Sequence, residues 1–181
     1  VNAKIIYGLC GAAHSGKDTV ASFISEFKED TEIISFAGPI KDACKILYNL
    51  SDEQLNDPVI KEQIDERWNK SPRQIFQWFG TDIMRKNAGE NFFLKNMEQR
   101  LMASKAKCIV ISDVRFENEL EFVHKLDGIF IKITRPNKET TKHNKHISEQ
   151  DLAGIFMEYN IINDGTLEEL KEKIKSITSK T

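Results

Sequence analysis

At 181 residues, 40% of them apolar, the chain can bury one sizeable core and is short for a second full domain. Its 26 lysines and arginines are scattered among 28 aspartates and glutamates, for a formal charge of −2, which argues against a protein that holds a nucleic-acid polymer through its electrostatic field. No stretch is long or apolar enough to cross a bilayer and no signal pattern opens the chain, so a cytoplasmic protein without a membrane partner is expected. Cys10, Cys44 and Cys108 each sit in an apolar stretch without metal-ligand spacing, the pattern of reduced core thiols.

The first apolar run, Ile5, Ile6, Tyr7, Gly8, Leu9 and Cys10, has the length and branching of a buried strand. Residues 11–19 follow as Gly-Ala-Ala-His-Ser-Gly-Lys-Asp-Thr, and Val20, Phe23, Ile24 and Phe27 then recur at helical spacing. Strand, glycine loop and helix stand in the order of a phosphate-binding loop. Gly11 and Gly16 let the backbone curl so that N–H groups point inward, and the helix start adds unpaired donors and partial positive charge. Lys17 is placed to reach terminal phosphates as a point charge, and the Thr19 hydroxyl to bond a phosphate nearer the nucleoside. Asp18 stands where a serine or threonine normally ligates magnesium; a carboxylate there takes the ion directly or through water.

Glu32, Ile33, Ile34, Ser35 and Phe36 predict a second strand, and Pro39 opens a helix striped by Ile40, Ala43, Cys44, Leu47 and Tyr48. Residues 51–70 turn polar, as in an excursion outside the main sheet. Ser71 caps a helix buried by Ile75, Phe76, Trp78 and Phe79, with Gly80 as its expected break, and a further helix over about 92–103 carries Phe93, Met97 and Leu101. Cys108, Ile109, Val110 and Ile111 form an apolar strand that ends at Ser112 and Asp113 and leads into a helix through Phe116, Leu120 and Val123. Another strand, residues 129–133, stops at Thr134, Arg135 and Pro136; residues 137–145 have no aliphatic side chain, as in a loop over a site or a solvent-exposed connection. Ile161, Ile162 and Asn163 make a last strand, Asp164 and Gly165 a turn, and Thr166 with Glu169 a capping box. The alternation predicts an α/β fold with a five-stranded parallel sheet and helices on both faces, ligands binding beyond the strand ends where Gly11, Asp113, Arg135 and Asn163 fall. Arg73, Arg115 and Arg135 supply more cations than one nucleoside triphosphate needs, which suits a kinase pressing two phosphorylated ligands together.

Seven blocks carry a resemblance: Gly-Lys-Asp-Thr at 16–19, Ala-Gly-Pro-Ile-Lys-Asp-Ala at 37–43, Gly-Thr-Asp at 80–82, Asp-Val-Arg-Phe-Glu-Asn-Glu at 113–119, Arg-Pro at 135–136, His-Ile-Ser-Glu at 146–149 and Asn-Asp-Gly-Thr-Leu-Glu-Glu-Leu at 163–170. In this order they resemble the deoxynucleoside monophosphate kinases of tailed bacteriophages, a P-loop nucleotide kinase family. The resemblance implies one P-loop NTPase domain of nucleoside monophosphate kinase type over 1–181, with a helical acceptor-binding excursion near 51–105 and a lid-like loop near 135–148. It implies transfer of the ATP γ-phosphate to a deoxynucleoside monophosphate, with Mg2+ required. By position, Gly11, His14, Ser15, Gly16, Lys17, Asp18 and Thr19 resemble the ATP site, with Asn163, Gly165 and Thr166 at the adenine. Arg73, Gly80, Thr81, Phe93, Asp113, Arg115 and Glu119 resemble the acceptor site. There Arg73 and Arg115 hold the phosphate, Phe93 offers a ring face to the base and Glu119 accepts from base or sugar; Lys17, Arg73, Arg115 and Arg135 are the catalytic cations. Asp18 and Asp113 are the metal candidates, and Asp113 has a second candidate role as acceptor for the substrate sugar. His146, Ser148 and Glu149 either fasten the polar loop when closed or, for Ser148, cap a helix. A family member carries basic residues where Ala13 and His14 stand, and its excursion before Ser71 is longer. A kinase of another phosphorylated metabolite and a non-catalytic nucleotide-binding regulator stay open as alternatives, as does a homodimer.

Overall fold

The computed structural model describes residues 4–136 and 157–181; the polar segment at 137–145, His146, Ser148 and Glu149 lie outside them. The chain divides into two compact units, one made of Val1–Ser35 with Glu98–Thr181 and the other of Phe36–Met97.

The first unit holds a parallel sheet of β1 (Ile5–Cys10), β2 (Thr31–Ile34), β3 (Cys108–Ile111), β4 (Ile129–Thr134) and β5 (Tyr159–Ile162), in the order β2-β3-β1-β4-β5. β1 is central, which explains its near-continuous apolar composition. Because side chains alternate, Tyr7 and Leu9 face one side with Val110, Ile131, Ile133 and Ile161. On that side they pack under Val20, Phe23 and Ile24 of α1 (Lys17–Phe27) and Leu170, Ile174 and Ile177 of α8 (Leu167–Thr178). Each such fully buried side chain contributes roughly 1.5–3 kcal/mol. On the opposite side Phe130 fills the space over Gly8, where a Cβ would lie 2.7 Å from its ring. His124 of α7 (Glu117–His124) lies against that same ring at 4.7 Å between centroids, so helices cover both faces as expected.

Two strand ends differ from the sequence pattern. β2 stops at Ile34, whose carbonyl still accepts the Ser112 N–H at 2.9 Å just past the end of β3. β5 begins at Tyr159, and Asn163 lies just past it, its N–H still donated to the Thr134 carbonyl at 2.7 Å.

The second unit contains α2 (Gly38–Tyr48), α3 (Asp52–Asn56), a 3-10 turn at Ile60–Glu62, α4 (Pro72–Gln77), a π-helical stretch at Trp78–Arg85, α5 (Lys86–Ala88) and the start of α6 (Phe92–Ala103). Cys44, Leu50, Leu55 and Ile75 form its core, flanked by Ile40, Tyr48, Phe76 and Phe79. Ser71 caps α4 as expected, in a capping box with Gln74, and Ser51 does the same for α3 with Gln54. Gly80 does not break its helix. The helical run continues through it to Ala88 and stops at Gly89, whose φ of +92° suits only glycine well. Gly80 is there for closeness, since a Cβ would lie 2.7 Å from Cδ1 of Ile40 on α2.

Candidate active site

Beyond β1 the chain curls through three positive φ angles, at Gly11 (142°), His14 (61°) and Gly16 (107°). A Cβ on Gly11 would stand 2.2 Å from the Ile133 carbonyl oxygen, so the loop leans on β4 too closely for any side chain. The Ser15 N–H closes a turn onto the Ala12 carbonyl at 3.2 Å. α1 then starts with Gly16 as its N-cap and without a side-chain cap, which leaves its first-turn N–H groups aimed into the loop as anion donors. Nζ of Lys17 donates to the Gly11 and Ala12 carbonyls, both at 2.7 Å, and is thereby held over the loop. The Ser15 hydroxyl is 2% exposed and has no hydrogen-bond partner among the described residues. An unpaired buried hydroxyl costs roughly 1–3 kcal/mol, and a phosphate oxygen would satisfy it. Asp18 is exposed on the first turn and Thr19 half-buried.

Asn163 reaches the same loop from the end of β5. Its side-chain amide donates to the Ser15 carbonyl at 2.8 Å, and a Cβ on Gly16 would lie 2.5 Å from that amide nitrogen. The sequence gives no hint of this brace, because the partners are 148 residues apart. Thr166 is the N-cap of α8, with Oγ1 accepting from the Glu169 N–H and the Glu169 carboxylate accepting from the Thr166 N–H at 2.7 Å. Gly165 makes room for that carboxylate, since a Cβ would lie 1.9 Å from it.

Asp113 is buried in the turn after β3, which is tied to β1 through the Val114 N–H and the Leu9 carbonyl at 3.0 Å. Glu119, 2% exposed, has its carboxylate against its own backbone. Its carboxylate accepts from the Arg115 N–H at 2.9 Å and the Phe116 N–H at 3.2 Å, so it caps α7 and sets the backbone that carries Arg115. Arg135 is exposed one residue past β4.

Within the second unit, Arg73 on α4 is ion-paired with Glu62, a partner the sequence reading missed. Gly80 and Thr81 lie in the π-helical stretch. Phe93 is buried with Met97 and Leu101 at four-residue spacing, and its ring meets Phe92 edge to face at 5.2 Å. Phe93 is 6% exposed and Phe92, 38% exposed, is the more accessible ring of the pair. Among the described residues no three His, Cys, Asp or Glu side chains cluster as a metal cage. Magnesium is typically held by one or two carboxylates plus substrate phosphates, a set that needs no such cluster. No helix among the described residues is long and apolar enough to cross a membrane.

The deoxynucleotide monophosphate kinase family model matches residues 53–174. A protein of Acanthamoeba polyphaga mimivirus that carries the deoxynucleotide monophosphate kinase name is 38% identical over 187 residues, covering 95% of each chain. The deoxynucleoside-5'-monophosphate kinase of Escherichia phage T5 is 22% identical, over 88% of this chain and 90% of its own. Among solved structures, a gluconokinase from Sinorhizobium meliloti 1021 superposes with a TM-score of 0.52 at 15% identity, over 99% of this chain and 93% of its own, a likeness of fold. With its parallel sheet, its phosphate loop and a family match over two thirds of its length, the chain belongs to the deoxynucleotide monophosphate kinase family.

Proposed function

We propose that the chain transfers the γ-phosphate of ATP to a deoxynucleoside monophosphate, giving the diphosphate and ADP. The observation that carries this reading is the loop at residues 11–19, where glycine geometry, an uncapped helix start, a held lysine and an unpaired buried hydroxyl converge on one anion site. Backbone N–H groups of the loop and of the α1 start bind the triphosphate, and Lys17 exchanges its carbonyl contacts for phosphate oxygens. Mg2+, which Asp18 and Asp113 would hold, would supply positive charge to neutralise the phosphates.

Arg115 and Arg73 hold the acceptor phosphate, and Arg135 adds charge to the transferring group. For Arg73 this means giving up Glu62. An acceptor phosphate is already an anion and needs no general base, so alignment and charge neutralisation do the catalytic work. The test is a coupled assay for ADP across the four deoxynucleoside monophosphates and their ribose counterparts. Wild-type protein should release ADP only when a monophosphate is present. Lys17→Ala should lose at least about a hundredfold in turnover with an unchanged melting temperature; full turnover in that variant would refute the assignment.

A further inference from the structure

Of the residues around the phosphate loop, Asn163 makes the contact that the kinase reading leaves without a purpose. Its backbone is fixed first: the N–H donates to the Thr134 carbonyl at 2.7 Å, directly after the register pair Thr134 and Ile162. From that anchor the side-chain amide nitrogen donates to the Ser15 carbonyl at 2.8 Å and sits against Gly16 closely enough that a Cβ would come within 2.5 Å. A trans peptide is planar, with its C=O and N–H pointing in opposite directions. Holding the Ser15 carbonyl toward Asn163 therefore turns the Gly16 N–H to the side away from Asn163. That N–H belongs to the left-handed residue, Gly16 at φ 107°, that opens α1. The other end of the loop is held similarly, with Gly11 seated against the Ile133 carbonyl one residue before Thr134.

The geometry points to Asn163 as a positioning residue that orients the Ser15–Gly16 peptide for phosphate binding, and not primarily as a reader of the adenine. This rests on the reading of the loop as the ATP grip. A base-reading role and a loop-orienting role differ in which part of the ligand should feel the loss of the amide.

The test uses the full chain with Asn163→Ala and the near-isosteric Asn163→Asp, in which an acceptor oxygen would face the Ser15 carbonyl. Binding of ADP, inorganic tripolyphosphate and adenosine is measured by calorimetry, beside ATP and acceptor kinetics and thermal melting. Both variants should weaken ADP and tripolyphosphate by about tenfold, raise KM for ATP and leave adenosine binding and the acceptor KM unchanged. Unchanged tripolyphosphate binding in a folded variant would overturn the inference, as would a loss for adenosine as large as that for ADP. Should Asn163→Ala fail to fold, Asn163→Asp carries the comparison. The kinase reading fails separately: wild-type protein that binds ADP and tripolyphosphate but phosphorylates no monophosphate refutes it, while the binding arms still decide the role of Asn163.

Discussion

Arg73, which we proposed above as a ligand of the acceptor phosphate, is paired with Glu62. In that role the Glu62 carboxylate would compete with the phosphate for the same donors. The pair is partly exposed, 19% at the Arg73 side chain and 43% at Glu62, so solvent screens it and its release costs on the order of 1 kcal/mol within one binding event. Glu62→Gln should lower the acceptor KM by about two- to fivefold, with kcat and the KM for ATP little changed; initial-rate kinetics with both substrates varied would check it. A raised acceptor KM would instead mean that Glu62 holds Arg73 in its working position. At this scale, what the sequence displays is what lies close along the chain. Gly11, Gly16 and Lys17 are legible as an anion site because their chemistry is local, whereas the Asn163 amide and the Glu62 carboxylate meet their partners only in the folded chain. Phe93 looks the same in sequence whether it stacks on a ligand or fills a core, and its burial appears only in the folded chain.

Among the elements, helix starts were readable because a cap needs a particular residue three positions before its reciprocal partner, as Ser71 with Gln74 and Thr166 with Glu169 show. Gly80 was not readable, because glycine marks both a helix end and a close approach between helices, and only the position of Ile40 separates the two. That contact makes a prediction. Gly80→Ala gains helix propensity of up to about 1 kcal/mol but forces the Ile40 terminal methyl aside, so the two effects should nearly offset and the single variant should change stability by less than about 1 kcal/mol. With Ile40→Val removing that methyl, the same glycine substitution should become more favourable by about 1 kcal/mol. A double-mutant cycle of urea melts reads the difference, and additive effects would mean that the close contact carries no energy.

For the molecule as a whole, strand and helix alternation was enough to foresee a parallel sheet, but not its order. The order depends on which way each crossover turns, and that is settled by packing far along the chain. The apolar placement of the cysteines was equally clear, and it has a thermodynamic counterpart. Burial pushes the Cys44 thiol up to about 11, and burial also raises Cys108, Tyr7 and Tyr48. Each of these groups is neutral when protonated and harder to ionise in the folded chain than in the unfolded one. Their contribution is therefore complete below the unfolded value, 9.0 for the Cys44 thiol, and is lost as the pH climbs from there toward about 11. Folding free energy should fall over that window, by on the order of 2 kcal/mol for Cys44 alone, and Cys44→Ala should flatten the decline. Urea melts at about pH 7.5 and about pH 10.5 give the slope, and an equally steep fall in the variant would remove Cys44 as a cause.

The π-helical stretch at Trp78–Arg85 has its own legacy. Such winding is an α-helix widened to take in extra residues, so the side chains on either side of it are out of phase. A helical wheel drawn straight from Pro72 to Ala88 would misplace everything downstream of the joint. It also offers a slot where a one-residue deletion could be absorbed by rewinding to ordinary pitch, which makes this joint a natural place for relatives to differ in length without losing the helix.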